Sequence, residues 1–305
     1  MEIHQLRYFL AVAEHGNFTR AAERSFVTQP SLSQQILKLE EELGHKLFHR
    51  LGRKAVLTEA GSVFLARARR ILGEVEDAAK ELRDDPSLGR RITIGAIPTL
   101  APYLVPQLLD RCRTQYPNLI VHTREAFRGP LLEAVIAGEL DFALVALPVE
   151  DHRLSVETLF TERLLLAVGR SHPLGKRDSV PATDLQDETF IMLGSGSTLA
   201  SQVQQFCGDH HFEPKIGHRC AQVATVKSLV ALGLGISILP QIVRFAADQR
   251  TLVYRELSGR APQREIAIVR HLQRYQSRGA EQFLALLREH VTSARDEAAK
   301  PAGPL

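Results

Sequence analysis

The sequence predicts an α/β protein in which a small helical domain precedes a larger domain of alternating strands and helices. Three observations predict this class. Residues 1–57 carry short apolar stripes at helical spacing and end in a basic, alternating segment. A heptad-spaced helix follows, and from about residue 90 short apolar strands alternate with helical patterns. The last region is long enough for two small lobes with a cleft between them.

Composition places the chain among globular proteins, with 44% hydrophobic and 24% charged residues in 305. The three cysteines are scattered, at Cys112, Cys207 and Cys220, which excludes a disulfide framework and indicates a reducing compartment. The first residues lack the features of a signal peptide, and no apolar run approaches the ~20 residues that span a bilayer. We therefore expect a cytoplasmic protein that does not contact membranes. The net charge of +3 suits nucleic-acid contact if it is concentrated in one place.

Three short helices are predicted first. Helical spacing of Leu6 and Phe9 marks the first helix, which His15-Gly16-Asn17 ends. Asn17 or Thr19 can cap the second helix, and Pro30 suits the first turn of the third. The third helix keeps an apolar stripe while its other face is polar, and the residues that lie off the stripe are Ser31, Ser33, Gln34, Gln35 and Lys38.

A basic hairpin and a long helix come next. Residues 45–57 alternate around Gly52 and carry Lys46, Arg50, Arg53 and Lys54, which predicts a small wing. From Thr58 to about Arg83 the apolar residues follow heptad spacing. This spacing predicts pairing with a second copy of the helix, through Phe64, Ala68, Ile71, Val75, Ala78 and Leu82. Residues 84–89 then break the helix as a hinge.

The remaining residues predict an open sheet with covering helices. One helix is expected at Leu104–Tyr116. The predicted strands are Ile92–Ile97, Leu119–Glu125, Asp141–Leu147, Leu164–Val168, Thr189–Leu193 and Ile236–Leu239. The expected division is residues 1–58, 59–88 and 89–305, the last with lobes 91–162 plus 268–292 and 163–267.

The helix, turn, helix and basic hairpin have the chemistry of DNA contact. A helix fits the major groove, Ser and Gln side chains can bond base edges, and basic side chains on the wing can meet phosphates. The alternative is a three-helix packing module whose polar face is only solvated. Spacing alone leaves both interpretations open.

Six segments resemble the N-terminal signature of LysR-type transcriptional regulators. They are Phe9–Glu14, Asn17–Ala22, Thr28–Ser33, the set Ile36, Leu39, Glu40, Leu43 and Gly44, Leu47–Arg50, and Leu57–Gly61. The resemblance implies a winged helix-turn-helix, a dimerising linker helix and a two-lobe effector domain like periplasmic binding proteins. It also implies that the DNA-contacting residues are Thr19, Thr28, Gln29, Pro30, Ser31, Ser33, Gln34, Lys38, Arg50, Arg53 and Lys54. Family members often carry Arg where Gln34 stands, which leaves the preferred half-site open.

The family places a small-molecule cleft between the lobes. The effector residues expected here are Thr99, Arg128, Ala146, Ser197, Thr198 and Gln222. Hydroxyls and free N–H groups at a helix start favour an anion, so we expect a small carboxylate. The alternatives are that Thr99 and Thr198 only cap helices and that Arg128 only seals the cleft or faces solvent.

Within the family, Ile94–Thr99, Pro102–Leu104 and Phe206-Cys207 resemble the peroxide-sensing OxyR branch. Aligning on Cys207 puts Ser197-Thr198 where that branch carries a His-Cys pair. A threonine hydroxyl cannot replace a peroxide-reactive thiolate, so we expect no disulfide switch. The residues Cys207, Asp209, His210, His211, His218 and Cys220 fit no zinc signature, and no metal or cofactor is expected.

The sequence therefore predicts a LysR-type regulator that is not an enzyme. Its expected partners are double-stranded promoter DNA, a small-molecule effector, a second copy of itself in a dimer or tetramer, and RNA polymerase. Two alternatives remain at this point. One is a solute-binding or catalytic α/β protein with an accessory helical domain, and the other is a redox-responsive regulator that uses Cys207.

Overall fold

A computed structural model describes residues 1–52, 54–83, 90–259 and 261–299. Contacts divide the chain into two units. The first comprises Met1–Asp84 with Ala137–Glu139, and the second comprises Asp85–Ile136 with Leu140–Leu305. The division groups the linker helix with the N-terminal helices. Over the described ranges, no helix combines the length and apolar character needed to cross a bilayer.

The first unit opens with the three predicted helices, α1 (Ile3–His15), α2 (Phe18–Arg24) and α3 (Gln29–Leu43). Gly16 ends α1 at φ 59° and Gly44 ends α3 at φ 69°, in the left-handed region that glycine adopts without strain. Asn17 caps α2, because its side chain accepts hydrogen bonds from the backbone N–H groups of Thr19 and Arg20. The helix boundaries predicted from capping residues are confirmed.

The wing is a two-stranded antiparallel hairpin of β1 (Phe48–Leu51) and β2 (Lys54–Leu57). The buried carboxylate of Glu40 in α3 fixes its position. One oxygen accepts hydrogen bonds from the N–H groups of Leu47 (2.8 Å) and Phe48 (3.3 Å), and the other pairs with Nζ of Lys46 at 3.1 Å. These contacts attach the wing to the helix expected to read DNA.

Helix α4 (Glu59–Arg83) corrects the predicted pairing seam. Ala68 is 0% exposed within its own unit. The Phe64 ring packs edge-to-face on Phe9, with centroids 5.1 Å apart, and Ile71 packs against the same core. Ala68 is thus covered by its own winged helix-turn-helix, whereas Phe64, Ile71 and Val75 are half-buried and Ala78 is exposed. The hinge 84–89 and the Leu82 side chain lie outside the described residues.

The second unit contains ten strands and five α-helices among its described residues. The strands are β3 (Arg90–Ala96), β4 (Leu119–Glu125), β5 (Phe142–Ala146), β6 (Leu154–Gly169), β7 (Ser179–Val180), β8 (Thr189–Leu193), β9 (Lys215–Cys220), β10 (Ser237–Pro240), β11 (Leu252–Leu257) and β12 (Gln263–His271). The helices are α5 (Ala101–Gln115), α6 (Arg128–Ala137), α7 (Thr198–Asp209), α8 (Val223–Ala231) and α9 (Arg278–Ala299).

Two long strands connect the lobes of this unit. The main sheet has the order β4-β3-β5-β12-β6-β11-β7, β10 also pairs with β6, and β8 pairs with β9 in a separate sheet. Strand β12 pairs antiparallel with β6 along its whole length, while only the second half of β6 pairs with β10 and β11. One hydrophobic core surrounds β3, β5 and α9, and the other surrounds β8, α7 and α8. This architecture confirms the predicted two-lobe α/β domain.

Several strands differ from the prediction. The segment Leu164–Val168 is only the end of the 16-residue strand β6. The sequence does not predict strands β7, β9, β11 and β12, and α5 begins at Ala101 rather than Leu104. After Leu154, the first half of β6 consists of half-buried and exposed positions and is rich in polar residues, so an apolar-run criterion does not find it.

Candidate nucleic-acid interface and ligand cleft

Helix α3 presents a polar, exposed surface. Its N-cap is Thr28, whose Oγ1 accepts a hydrogen bond from the backbone N–H of Ser31 at 3.4 Å. Most of the residues expected to contact DNA are exposed. These are Thr19, Thr28, Gln29, Pro30, Ser31, Gln34, Lys38, Arg50 and Lys54, whereas Arg53 lies outside the described residues.

Ser33 is a correction to the predicted DNA-contacting set. Its side chain belongs to the buried face of α3, and its hydroxyl accepts a hydrogen bond from Nη1 of Arg50 at 2.9 Å. The same guanidinium lies 4.6 Å from the ring centroid of Phe18, in cation–π geometry. Ser33 and Arg50 therefore brace α3, α2 and the wing against each other, because helical spacing turns Ser33 towards the hairpin rather than away from it.

A buried polar cluster lies where the paired strands β6 and β12 pass from one lobe to the other. Arg264 on β12 is directly opposite Glu162 on β6 in the strand register, and its Nε and Nη2 lie 2.8 and 2.7 Å from Glu162 Oε1. Nη1 of Arg264 also donates to Thr99 Oγ1 at 2.7 Å, and the other Glu162 oxygen accepts from the N–H of Ile242 at 2.8 Å. We call these four residues the crossover cluster.

The crossover cluster joins both lobes without a ligand. Thr99 follows β3 in the first lobe, Ile242 follows β10 in the second, and Glu162 and Arg264 lie on the connecting strands. Burial lowers the pKa of Arg264, and the neighbouring Glu162 carboxylate opposes that shift. Sequence reasoning missed both ionic partners, because a lone Arg and a lone Glu in polar stretches give no local signal.

The alternative in which Thr99 and Thr198 only cap helices is wrong. Helix α5 has Leu100 as its N-cap, and the Thr99 hydroxyl bonds Arg264 instead. Helix α7 has Ser197 as its N-cap, and no side chain there accepts a hydrogen bond from the first turn. The N–H groups at the start of α7 are thus left for another acceptor.

Arg128 lies at the carboxyl edge of the first-lobe strands, at the start of α6. Its Nη1 donates to the carbonyl oxygens of Pro148 (2.6 Å) and Ala146 (3.4 Å). Ala146 is fully buried and contributes its carbonyl rather than its side chain. Within the described part of the chain, no carboxylate pairs with Arg128, so its positive charge is not neutralised by a neighbour.

Phe127 brings the Arg128 segment against the start of α7. A methyl group in place of the Gly196 hydrogen would lie 3.1 Å from Cδ2 of the Phe127 ring. Ser197 beside it is 5% exposed, Thr198 is half-buried, and Gln222 is an exposed N-cap of α8. The contact therefore brings two of the segments that carry expected effector residues, 127–128 and 196–198, close together.

All three cysteines are free and buried. Burial raises the pKa of the Cys207 thiol to about 12 and also raises the pKa of Cys112 and Cys220. Among the described residues, no three His, Cys, Asp or Glu side chains converge to hold a metal ion.

An exposed polar helix with a braced wing, carried in one chain with a two-lobe α/β unit whose lobes share a buried polar cluster, is typical of a ligand-responsive DNA-binding regulator. Comparison with known families agrees with this class. Residues 3–62 match the family described as bacterial regulatory helix-turn-helix protein, lysR family, and residues 86–292 match the LysR substrate binding domain. The chain belongs to the LysR family of transcriptional regulators.

The chain is also similar over most of its length to individual transcriptional regulators. The chain is 36% identical over 272 residues to the DNA-binding transcriptional dual regulator OxyR of Escherichia coli, covering 88% of this chain and 89% of that protein. It is 33% identical over 274 residues to a hydrogen peroxide-inducible genes activator of Haemophilus influenzae, covering 88% and 90%.

Solved structures of the family are similar over nearly the whole chain. A full-length OxyR cysteine-to-aspartate variant from Pseudomonas aeruginosa matches with a TM-score of 0.75 and 28% identity, covering 95% of this chain and 94% of that one. Full-length CbnR in complex with its target DNA matches with a TM-score of 0.66 and 26% identity, covering 96% and 100%. The family and the fold predicted from the sequence are thus confirmed.

Proposed function

We propose that this LysR-family regulator binds promoter DNA as a homo-oligomer and responds to a small carboxylate held in the cleft of its second unit. Regulators of this family are not enzymes, and the expected site is a binding site. We place the protein in the cytoplasm, where it contacts RNA polymerase once bound to DNA. The exposed polar surface of α3 would read base edges, and Lys54 on the wing would add phosphate contact.

The observation that carries the anion proposal is the unneutralised charge of Arg128. The half-buried guanidinium of Arg128 donates through Nη1 to two carbonyl oxygens and keeps its other N–H groups for a planar acceptor such as a carboxylate. The start of α7 supplies a second group of donors, because its first-turn N–H groups lack a side-chain cap and the helix dipole favours negative charge there. The contact of Phe127 with Gly196 supports the proposal, because it brings the segments that carry these two groups of donors close together.

Thr99 has a supporting role in this proposal. Its hydroxyl already accepts from Arg264, so its own proton remains available to donate to a ligand oxygen. A ligand bound there would touch the crossover cluster and hence both lobes. This provides a route by which an effector changes the relative positions of the lobes.

Calorimetric titration of the full-length protein with a panel of small mono- and dicarboxylates tests the proposal. Arg128→Ala should lose about 2 kcal/mol or more of binding free energy, and Thr198→Val a smaller amount. Arg113→Ala is the matched control, because that arginine is 82% exposed on α5 and should leave affinity unchanged. Equal affinities for wild type and Arg128→Ala would remove the arginine from the site, and binding of only neutral or cationic compounds would exclude an anion.

The redox alternative is not favoured by this chain. Relatives named as peroxide-inducible activators raise the question, but Cys207 is buried and the pKa of its thiol is raised to about 12 by that burial. Very little thiolate, the form that reacts with peroxide, is then present near neutral pH. Thr198 stands where the sequence comparison within the family expects the reactive thiol.

A further inference from the structure

Phe26 is an unusual residue in the connection between α2 and α3. Its side chain is 96% exposed, whereas Phe9 and Phe48 of the same unit are almost completely buried. Its backbone lies at φ 56°, in the left-handed region. Only one other non-glycine residue of the described chain, His211, has a positive φ. Phe26 thus combines an unfavourable backbone conformation with an unfavourable exposure of apolar surface.

The hydrogen bonds around α2 explain the backbone conformation. The N–H of Val27 donates to the carbonyl of Ala22 at 3.0 Å, and the N–H of Phe26 donates to Glu23 at 3.2 Å. This pair of bonds is the Schellman termination, whose first residue past the cap adopts the left-handed conformation and is usually glycine. A phenylalanine at this position costs folding free energy that glycine would not cost.

Among the described residues of the first unit, no contact of the Phe26 ring compensates for that cost. Val27, the next residue, turns inward and packs against the hydrophobic core of the first unit, while Phe26 is almost fully solvated. Strained residues that gain nothing from the folded chain are found where they serve a function. The apolar ring, 96% exposed, is therefore not covered by the part of its own unit that the structure describes.

The position of Phe26 indicates what that partner is. It lies two residues before Thr28, the N-cap of α3, and the exposed residues Gln29 and Ser31 follow. Recognition helices present their N-terminal residues to base edges in the major groove. Arg24, two residues earlier in the chain, is exposed and basic, which suits a nucleic acid better than an apolar protein surface.

We propose that Phe26 is a specificity-determining residue that packs its ring against the 5-methyl group of a thymine in the major groove. Apolar side chains recognise thymine in this way, because its methyl group is absent from the other three bases. The proposal rests on the DNA-binding function of α3. It adds an apolar preference for thymine to the polar readout by Gln29 and Gln34.

The test uses duplexes that the full-length wild type selects from a randomised pool. Phe26→Asn and Phe26→Gly should bind the selected duplex roughly tenfold more weakly, which corresponds to about 1.4 kcal/mol. Their thermal unfolding midpoints should stay equal or rise, because both residues tolerate the left-handed conformation better than phenylalanine. Phe26→Leu keeps an apolar side chain and should retain most of the affinity.

Uracil substitution then locates the contact. Replacing one selected thymine by uracil removes only the methyl group, and it should weaken wild type several-fold while leaving Phe26→Asn unchanged. His211→Gly is the matched control. That exposed residue has the same Schellman pair of bonds, from Phe212 N–H to the Cys207 carbonyl and from His211 N–H to the Gly208 carbonyl, but it lies just after α7 in the second unit. It should not change DNA affinity.

Three results would overturn the proposal. Equal affinity of wild type and Phe26→Asn would show that the ring does not contact DNA. A lower affinity of Phe26→Asn that is independent of every thymine-to-uracil change would exclude the methyl contact. If the wild type enriched no sequence from the randomised pool, both DNA reading by α3 and the Phe26 contact would be overturned. If only Gln29→Ala failed to enrich a sequence, the proposed contact of Phe26 would be retained.

Discussion

The exposed face of α3 and the crossover cluster are both polar, but the polar groups of the first are exposed and those of the second are buried and bonded to one another. Gln29 and Gln34 are exposed on one helix and close in sequence. Thr99, Glu162 and Arg264 are buried, come from distant parts of the chain and bond one another. The polar side chains of the α3 surface are open to a partner, whereas Arg264 of the crossover cluster already bonds both Glu162 and Thr99. The difference suits one surface to recognition and the other to switching.

The largest expected effect is on the crossover cluster. Glu162→Gln should destabilise the protein by about 3–5 kcal/mol, because it leaves the buried Arg264 guanidinium without its charge partner. Urea unfolding measures this change. Glu256→Gln is the control, since Glu256 and its partner Arg163 are 44% and 58% exposed, and should cost at most about 1 kcal/mol. Similar losses for both variants would contradict the structural importance of the cluster.

The α3 surface should show the reverse behaviour. Gln29→Ala should lose about 1–3 kcal/mol of specific DNA binding with unchanged folding stability, because its side chain is exposed. Ser33→Ala should lose about 0.5–1.5 kcal/mol of stability, because its hydroxyl bonds Arg50, and should leave base preference unchanged. Binding to the selected duplex and to mismatched duplexes separates the two. A changed base preference in Ser33→Ala would restore that residue to the reading surface.

Both regions differ in how far the sequence predicts them. Capping by Asn17, the Gly44 stop and the polar face of α3 are set by residues within one or two turns of each other, so periodicity finds them. Arg264 and Thr99 are 165 positions apart, and no local pattern reveals their contact. The prediction for Ser33 is wrong because helical spacing gives the direction of its side chain but does not show that Arg50 of the wing lies there. The prediction that Ala68 pairs with a second copy is wrong for the same reason, since Ala68 packs in the core of its own unit.

The linker helix α4 also contains both buried and exposed apolar residues. Val75 and Ala78 are more exposed than Ala68, so they are the residues that a second copy would cover. Val75→Glu should weaken self-association about tenfold, or about 1.4 kcal/mol, without unfolding the first unit. Analytical ultracentrifugation measures the dissociation constant of self-association. Ile71→Glu should instead destabilise the first unit, and a wild type that is monomeric at micromolar concentration would refute the pairing.

The smallest expected effect is at Cys207. Because burial raises the pKa of its thiol to about 12, the thiol form persists at every pH well below that value. Alkylating reagents at neutral pH should therefore label Cys207 only after unfolding, and mild peroxide should form no stoichiometric intramolecular disulfide. Mass spectrometry checks both. Rapid labelling of the folded protein would contradict the burial argument.

The measurement that tests the central claim most directly is a nuclease footprint of the full-length protein on its selected duplex. It is recorded alone, with the carboxylate that calorimetry identifies, and with hydrogen peroxide. We expect the carboxylate to change the footprint of wild type but not of Arg128→Ala, and peroxide to change neither. A footprint that responds to peroxide alone, with the response abolished by Cys207→Ser, would contradict sensing by anion binding.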